Sequence, residues 1–169
     1  MSHLAKVYIG LGSNLGNRLE NLQLAINAIR NRHQVLSISS VYMNPPLGFE
    51  ADTDFYNAVI CIETTFSPKE LLNFLKNIEK RMGRSKKSIA GNYESRIIDL
   101  DILDFNQEIY DFGDLTIPHA EIGSRNFVIF PLQEIAATWV HPVFNKNLIQ
   151  LAEQLTVDGL LVKLDEKLA

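Results

Sequence analysis

Two acidic side chains lie two residues apart in the otherwise apolar stretch RIIDLDIL, residues 96 to 103. Read as a β-strand, this stretch directs Asp99 and Asp101 to one face, because successive side chains of a strand point to opposite faces. Two residues of strand span roughly 7 Å, so the carboxylates flank a space that suits metal ions. Paired Mg²⁺ ions held by aspartates are a recurrent device of phosphoryl transfer. The alternative is a solvent-facing strand that carries two charges.

Basic residues adjoin this acidic pair in the sequence. Arg96 lies three residues before Asp99, and Arg84, Lys86 and Lys87 lie in the loop-like stretch that precedes the strand. A nucleoside triphosphate needs positive charge for its phosphates and carboxylates for its metal ions. Mg²⁺ is satisfied by one or two carboxylates together with waters and phosphate oxygens. The residues therefore favour a metal-dependent reaction on a nucleotide over a solvent-facing strand.

A glycine-rich stretch, GLGSNLGN at residues 10 to 17, connects a predicted strand to a predicted helix. Backbone N–H groups at such a turn can bind a phosphate. However, the stretch lacks the lysine of a P-loop, and Leu15 stands where the dinucleotide fingerprint has its third glycine. The residues alone favour a tight turn that caps a helix, although the glycines would also let a flat ligand approach the backbone closely.

Aromatic and polar residues could bind a flat heterocycle. Phe55 and Phe127 could stack on its faces while Asn57 reads its edge, yet the residues alone favour core packing for the two rings. His119 follows a proline at a polar turn, and it could be a phosphate donor or an ordinary turn residue.

The predicted elements position these residues in a βαββαβ order up to residue 104. Strands are predicted at 5–12, 35–44, 55–64 and around the DLD stretch. One helix begins at Asn17, and another begins at Ser67 and stops at Gly83. A short hairpin is predicted at 107–119, mostly helical segments at 126–140 and 147–155, and an edge strand at 160–164. This order predicts an α+β, ferredoxin-like core with a mainly antiparallel sheet, which additional C-terminal helices extend to three α/β/α layers.

Composition limits the class of protein. The 169 residues, 46% hydrophobic and 21% charged, predict a single folded domain over residues 1–169. The formal net charge of -4 argues against a nucleic-acid-coating protein. The lone cysteine, Cys61, excludes an intrachain disulfide and is expected to be a buried small hydrophobe. We find no signal-peptide pattern or membrane-span-length apolar stretch, so we expect a cytoplasmic protein with no membrane partner; a monomer is plausible, and the oligomeric state stays open.

Several stretches together resemble the 6-hydroxymethyl-7,8-dihydropterin pyrophosphokinase family of folate biosynthesis. In order, they are YIGLGSNLGN, SSVYMNPPLG, FYNAV, IEKRMGR, SRIIDLDIL, TIPH and the RNF of residues 125 to 127. The resemblance covers residues 8 to 140 approximately, and RxxDLDIL is its most specific element. It implies pyrophosphate transfer from MgATP to the hydroxymethyl group of the dihydropterin, with AMP as the second product. The implied small-molecule partners are ATP as co-substrate and the dihydropterin.

The resemblance also implies roles for individual residues. Asp99 and Asp101 would hold two Mg²⁺ ions, and Arg84 and Arg96 would join them as catalytic residues. The implied ATP-binding residues are Leu72, Lys76, Glu79, Arg84, Arg96, Ile102, Thr116, His119 and Arg125. The implied pterin-binding residues are Gly12, Asn44, Pro45, Leu47, Phe55, Asn57 and Phe127.

This chain departs from the family pattern near the signature arginine. Tyr93, Glu94 and Ser95 stand where the family often has Trp-Gly-Pro, and Ala120 and Asp114 replace residues common near TIPH. Lys86 and Lys87 are the candidates for a further phosphate contact. The polar stretches LGFEADTD and RSKKSIAGNYES are predicted to close over the bound substrates.

Two other functions are compatible with parts of the sequence. RNA-binding ferredoxin-like modules share the element order, but they need an RNP-type aromatic run, which this sequence lacks. Another two-metal nucleotidyl- or phosphotransferase with a different acceptor is the remaining alternative.

Overall fold

The computed structural model describes residues 3–45, 53–83, 96–156 and 160–169 of the chain. The helices in this part of the chain are α1 (Arg18–Arg30), α2 (Pro68–Arg81), α3 (Asn126–Ile135) and α4 (Leu148–Glu153). The strands are β1 (Ala5–Ser13), β2 (Gln34–Ile38), β3 (Tyr42–Asn44), β4 (Phe55–Thr64), β5 (Asp99–Phe105), β6 (Tyr110–Asp111), β7 (Thr116–Ile117) and β8 (Val162–Lys163). The two stretches predicted to close over substrates lie outside the described residues, except for Thr53 and Asp54.

The main sheet has the strand order β5-β1-β4-β3-β8, and β2 also pairs with β4. Each of these pairings is antiparallel. The sequence of elements and the central position of β1 and β4 confirm the predicted ferredoxin-like core. The predicted hairpin at 107–119 and the edge strand near the C-terminus are also present, as β6–β7 and β8.

The strand predicted at 35–44 is wrong as a single element, because it breaks into β2 and β3. At the break, the backbone N–H of Ser39 donates to the carbonyl of Val59, and the Ser39 hydroxyl accepts the N–H of Val59, both at 2.9 Å. The backbone N–H and hydroxyl of Ser40 donate to the carboxylate of Glu134 on α3, at 3.1 and 2.9 Å. Side chains thus satisfy polar groups that a continuous ladder would have paired.

Helices cover both faces of the sheet. On one face, α1 and α2 bury an apolar core with the strands; its members include Val7, Ile9, Leu22, Ile26, Leu71 and Leu75. On the other face, α3 and α4 pack on Tyr8, Val59 and Cys61. The three predicted layers are therefore confirmed, as is the burial of Cys61. RNA-recognition modules stack bases on an open sheet surface, and α3 and α4 cover much of that surface here.

The ends of the helices follow local side-chain chemistry. Asn17 and Ser67 cap α1 and α2, and Ser67 and Glu70 form the reciprocal capping box that the sequence predicts. The helix predicted over 126–140 is too long, because α3 ends at Ile135 and the Trp139 N–H turns back to the carbonyl of Ala136 at 2.9 Å. No described helix is long and apolar enough to cross a membrane.

A buried histidine predicts how stability depends on pH. His33 is 7% exposed between the ring edges of Phe66 and Phe74, and its Nε2 has no hydrogen-bond partner among the described residues. Burial, with a smaller contribution from the charge of Arg32, lowers the pKa of His33 below 6.5. As pH falls below 6.5, His33 is protonated in the unfolded chain before it is protonated in the folded chain. The contribution of His33 to the free energy of unfolding is therefore fully present above pH 6.5 and is lost as pH falls through the folded-state pKa.

We expect His33→Leu to remove part of this acid sensitivity. Between pH 7 and pH 5, the loss in free energy of unfolding should be smaller in the variant by at most about 2 kcal/mol, as measured by urea unfolding. His3→Leu, at an exposed site, is the matched control. Equal pH dependence in His33→Leu and the wild type would contradict the assignment.

Candidate active site

Three neighbouring strands align the acidic pair with a glycine and an amide. In the β-sheet register, Asp99 of β5 pairs with Gly12 of β1, and Gly12 pairs with Asn57 of β4. Two residues further along β5, Asp101 pairs with Gly10. These five residues border a cleft of about 410 Å³, a volume that includes its opening to solvent. The cleft is lined by Gly10, Leu11, Gly12, Asn57, Ala58, Asp99, Asp101, Leu103, His119, Arg125, Phe127 and Val128.

The two glycines of β1, Gly10 and Gly12, place no side chain on the floor of this cleft. A Cβ at Gly12 would lie 3.0 Å from Asn57 Oδ1, and one at Gly10 would lie 3.4 Å from the side chain of Leu103. A side chain at Gly12 would therefore crowd the amide. The close approach of a flat ligand to this backbone stays a prediction.

The two carboxylates of the acidic pair repel each other. Burial, and next the charge of Asp99, raise the pKa of Asp101 well above its ordinary value, while Arg125 opposes the shift. Glu79, which is 7% exposed on α2, adds a smaller contribution in the same direction. Its Oε1 accepts the backbone N–H of Leu100 at 2.8 Å, which satisfies a donor on the outer edge of β5. A proton or a cation would relieve the repulsion at Asp101.

The donor set fits Mg²⁺ better than a metal that needs a protein cage. Among the described residues, no group of three or more His, Cys, Asp or Glu side chains is arranged to hold a metal ion. Two carboxylates with room for waters and phosphate oxygens are a typical environment of Mg²⁺.

Cationic and hydrogen-bonding groups adjoin the carboxylates. Arg96 Nη1 lies 2.9 Å from Asp99 Oδ1. Arg125 forms an ion pair with Glu121, and its guanidinium carbon lies 5.5 Å from the centre of the Phe127 ring. The cleft therefore presents both signs of charge, as a metal–triphosphate ligand requires.

His119 contributes a neutral imidazole to the wall of the cleft. Its pKa is lowered, first by burial and then by the charge of Arg125. Nδ1 accepts the backbone N–H of Glu121 at 3.2 Å. Because a neutral imidazole carries one proton, Nε2 is the donor that remains.

The two phenylalanines lie at the cleft and not in the fully buried core. Phe127 is the second residue of α3 and lines the cleft. Phe55 begins β4, and its Cδ1 would be 3.8 Å from a Cβ at Gly12. Both rings are only partly buried. Phe127 also packs against the core between the sheet and α3, so the core packing that the residues alone favoured is present in part for this ring.

Other residues implied by the resemblance lie away from the cleft or outside the described residues. Leu72, Lys76 and Glu79 lie on α2, and the side chain of Ile102 on β5 lies in the core. Thr116 on β7 and Pro45 are exposed. Asn44 lies behind Asn57, to which it is hydrogen-bonded. Arg84, Lys86, Lys87, Tyr93 and Leu47 fall outside the described residues. Their roles stay predictions.

Sequence reasoning missed Asn14, which is fully buried in the glycine-rich turn. Its Oδ1 accepts the backbone N–H of Arg96 at 2.6 Å, and its own N–H donates to the carbonyl of Arg96 at 3.0 Å. Its carbonyl accepts the hydroxyl of Thr53. Asn14 thus fixes the backbone from which the Arg96 side chain reaches Asp99. An amide in a glycine turn was the only sequence signal, and it is equally typical of turns in general.

Comparison with known proteins gives one consistent result. Residues 8–137 match the family model described as 7,8-dihydro-6-hydroxymethylpterin-pyrophosphokinase (HPPK). The 2-amino-4-hydroxy-6-hydroxymethyldihydropteridine pyrophosphokinase of Haemophilus influenzae is 42% identical over 161 residues, covering 94% of this chain and 97% of that protein. The protein of the same name from Aquifex aeolicus is 35% identical over 154 residues, covering 91% and 94%.

Among solved structures, wild-type Plasmodium falciparum HPPK-DHPS with pteroate superposes with a TM-score of 0.72 at 16% identity. The match covers 91% of this chain and 43% of that one, so this chain spans less than half of the solved protein. At this identity the likeness concerns the fold.

Proposed function

This chain belongs to the 7,8-dihydro-6-hydroxymethylpterin-pyrophosphokinase family, and from that premise we propose that the cleft at Asp99 and Asp101 is its active site. The protein is an ATP-dependent pyrophosphokinase of folate biosynthesis. It transfers pyrophosphate from ATP to the hydroxymethyl group of 6-hydroxymethyl-7,8-dihydropterin. The hydroxymethyl oxygen bonds to the β-phosphorus of ATP and loses its proton to solvent, the bond from that phosphorus to the bridging α-phosphate oxygen breaks, and AMP leaves with that oxygen.

We propose that Asp99 and Asp101 hold two Mg²⁺ ions together with the triphosphate. The observation that carries this assignment is the pair of carboxylates side by side in a cleft, one of them with a raised pKa. Bound Mg²⁺ supplies charge neutralisation and a lower pKa for the attacking hydroxyl. The aspartates fix the position of that charge on a β-strand, which suits in-line transfer.

Donors around the carboxylates would bind the phosphates. Arg96 and Arg125 would supply positive charge, and His119 would donate from Nε2. Arg84 completes this set by family resemblance. Because AMP carries the leaving oxygen, donors near the α–β bridge stabilise the charge that develops there.

Two rings and an amide would bind the pterin. Phe55 and Phe127 would stack on its faces, and Asn57 would bond its edge. The backbone at Gly12, Asn44, Pro45 and Leu47 would complete this subsite. Leu72, Lys76, Glu79, Ile102 and Thr116 would contact the remainder of ATP, an assignment supported by family resemblance alone. Use of ATP supports a cytoplasmic location.

The identity of the nucleotide product tests this function. Protein incubated with ATP, Mg²⁺ and 6-hydroxymethyl-7,8-dihydropterin should form AMP and the dihydropterin diphosphate in equal amounts. ADP in place of AMP would indicate a kinase, and no consumption of the dihydropterin would indicate a different acceptor. Either result would overturn the proposal.

Metal binding should depend on pH because of Asp101. Its raised pKa leaves it partly protonated near neutral pH, and a Mg²⁺ ligand must be deprotonated. We expect binding of Mg²⁺ with a non-hydrolysable ATP analogue to tighten between pH 6 and pH 8, at most about tenfold per pH unit, with proton release. Calorimetry in buffers of different ionisation enthalpy measures that release. Asp101→Asn should abolish it, and a pH-independent affinity would contradict the assignment.

A further inference from the structure

A pair of buried amides stands behind the proposed pterin subsite. Asn57 of β4 lines the cleft, whereas Asn44 of β3 does not, and each is 5% exposed. Asn57 Nδ2 donates to Asn44 Oδ1. The side chain of Asn44 therefore acts on the cleft through Asn57.

The orientation of both amides follows from one carbonyl group. Asn44 Nδ2 donates to the carbonyl oxygen of Pro45 at 3.0 Å. A carbonyl oxygen only accepts, so the amino group of Asn44 faces Pro45 and its oxygen faces Asn57. Because Asn44 Oδ1 can only accept a hydrogen bond, the amino group of Asn57 must face it. Turning the Asn57 amide by half a rotation would place two buried oxygens in contact and leave a donor unpaired, which is unfavourable.

The oxygen of Asn57 is consequently directed towards Gly12. A Cβ at Gly12 would lie 3.0 Å from Asn57 Oδ1. Within the described residues, no hydrogen-bond donor to this oxygen is found. The cleft thus offers a fixed acceptor beside the glycine floor.

We propose that Asn44 is a positioning residue that holds the Asn57 oxygen towards the cleft, so that this point selects a heterocycle edge carrying an N–H donor. This inference rests on the proposed function, which places a pterin at Asn57. An aminopyrimidine ring carries such N–H groups, whereas an analogue with only acceptors at that edge would face the Asn57 oxygen with a second oxygen or nitrogen lone pair.

Three substitutions separate orientation from packing. Asn44→Ala removes the acceptor and frees the Asn57 amide to turn, so we expect KM for 6-hydroxymethyl-7,8-dihydropterin to rise by about tenfold or more, with KM for ATP within twofold of the wild type. Asn44→Thr keeps a hydroxyl that can donate to the Pro45 carbonyl and accept from Asn57 Nδ2, so it should retain most of the dihydropterin affinity. Met43→Ala, on the same strand, is the control for loss of packing and should leave KM for the dihydropterin within twofold.

Gly12→Ala tests the acceptor from the cleft side. Its methyl group would crowd Asn57 Oδ1, so it should weaken dihydropterin binding at least as much as Asn44→Ala does. Thermal unfolding of each variant shows whether the fold is retained.

The outcomes distinguish this inference from the function on which it rests. If wild-type protein forms no AMP with the dihydropterin, the proposed function fails, and this inference fails with it. If the wild type is active and Asn44→Ala matches it in KM for the dihydropterin, only this inference is overturned. Equal losses in Asn44→Ala and Asn44→Thr would overturn it too, because orientation of the Asn57 amide would then not explain the effect.

Discussion

Replacing Asp99 or Asp101 by asparagine is expected to abolish turnover, lowering kcat by at least about 10³-fold. Asparagine keeps the size of the side chain but removes the charge that would hold Mg²⁺ against the triphosphate. A factor of 10³ corresponds to about 4 kcal/mol of transition-state stabilisation, which is reasonable for loss of a metal ligand. Steady-state AMP formation under saturating ATP, Mg²⁺ and dihydropterin measures the effect.

The two variants should differ in stability although both are inactive. The raised pKa of Asp101 means that its charge is unfavourable in the folded protein, and this cost grows as pH rises through neutrality. We therefore expect Asp101→Asn to raise the thermal midpoint of the ligand-free protein at pH 8. Asp99→Asn relieves part of the same repulsion but also removes an ion pair with Arg96, so we expect a smaller rise than in Asp101→Asn.

Asp165→Asn is the matched control, because Asp165 is exposed near the C-terminus. It should leave both kcat and the thermal midpoint unchanged. Near-normal rates in both Asp99→Asn and Asp101→Asn would remove the metal assignment.

Arg96→Ala is expected to lower kcat by about 10²- to 10³-fold and to raise KM for ATP. The Arg96 guanidinium lies next to Asp99, where the phosphates would meet the metal ions. Arg96→Lys should recover only part of the loss, because an ammonium group cannot reproduce the planar two-point contact of a guanidinium with a phosphate. Arg30→Ala, at an exposed position of α1, is the control.

Asn14→Ala should produce a smaller loss of the same kind. This substitution keeps the Arg96 side chain but removes the acceptor for the Arg96 backbone N–H, so the guanidinium is less firmly positioned. We expect roughly tenfold lower kcat, and about 1–3 kcal/mol lower stability from the unpaired buried donor. Kinetics well below the thermal midpoint separate the two effects. Unchanged kcat in Arg96→Ala would remove Arg96 from the site, and unchanged kcat in Asn14→Ala would reduce Asn14 to a structural role.

The sequence predicted those helices and strands whose ends depend on residues close by in the chain. The helix α2 begins where Ser67, Pro68 and Glu70 dictate, because a capping box is made within four residues. The strand β4 was predicted at its full length, since most of its residues are aromatic, aliphatic or β-branched. The break between β2 and β3 was not predictable, because it depends on Glu134, which is 94 residues away from Ser40.

In the candidate site, too, local features were predictable from the sequence and long-range contacts were not. Alternation along one strand was enough to place Asp99 and Asp101 on the same face, and the cleft confirms that placement. By itself, the sequence determined the acidic pair, its basic neighbour Arg96 and the element order that carries them. Only the tertiary structure decided that Gly12 lies between Asp99 and Asn57, that Asn14 holds the Arg96 backbone, and that the Asn57 amide donates to Asn44. Strand periodicity and helix caps are local, whereas strand register and buried hydrogen bonds join residues distant in the chain and form only when the sheet assembles.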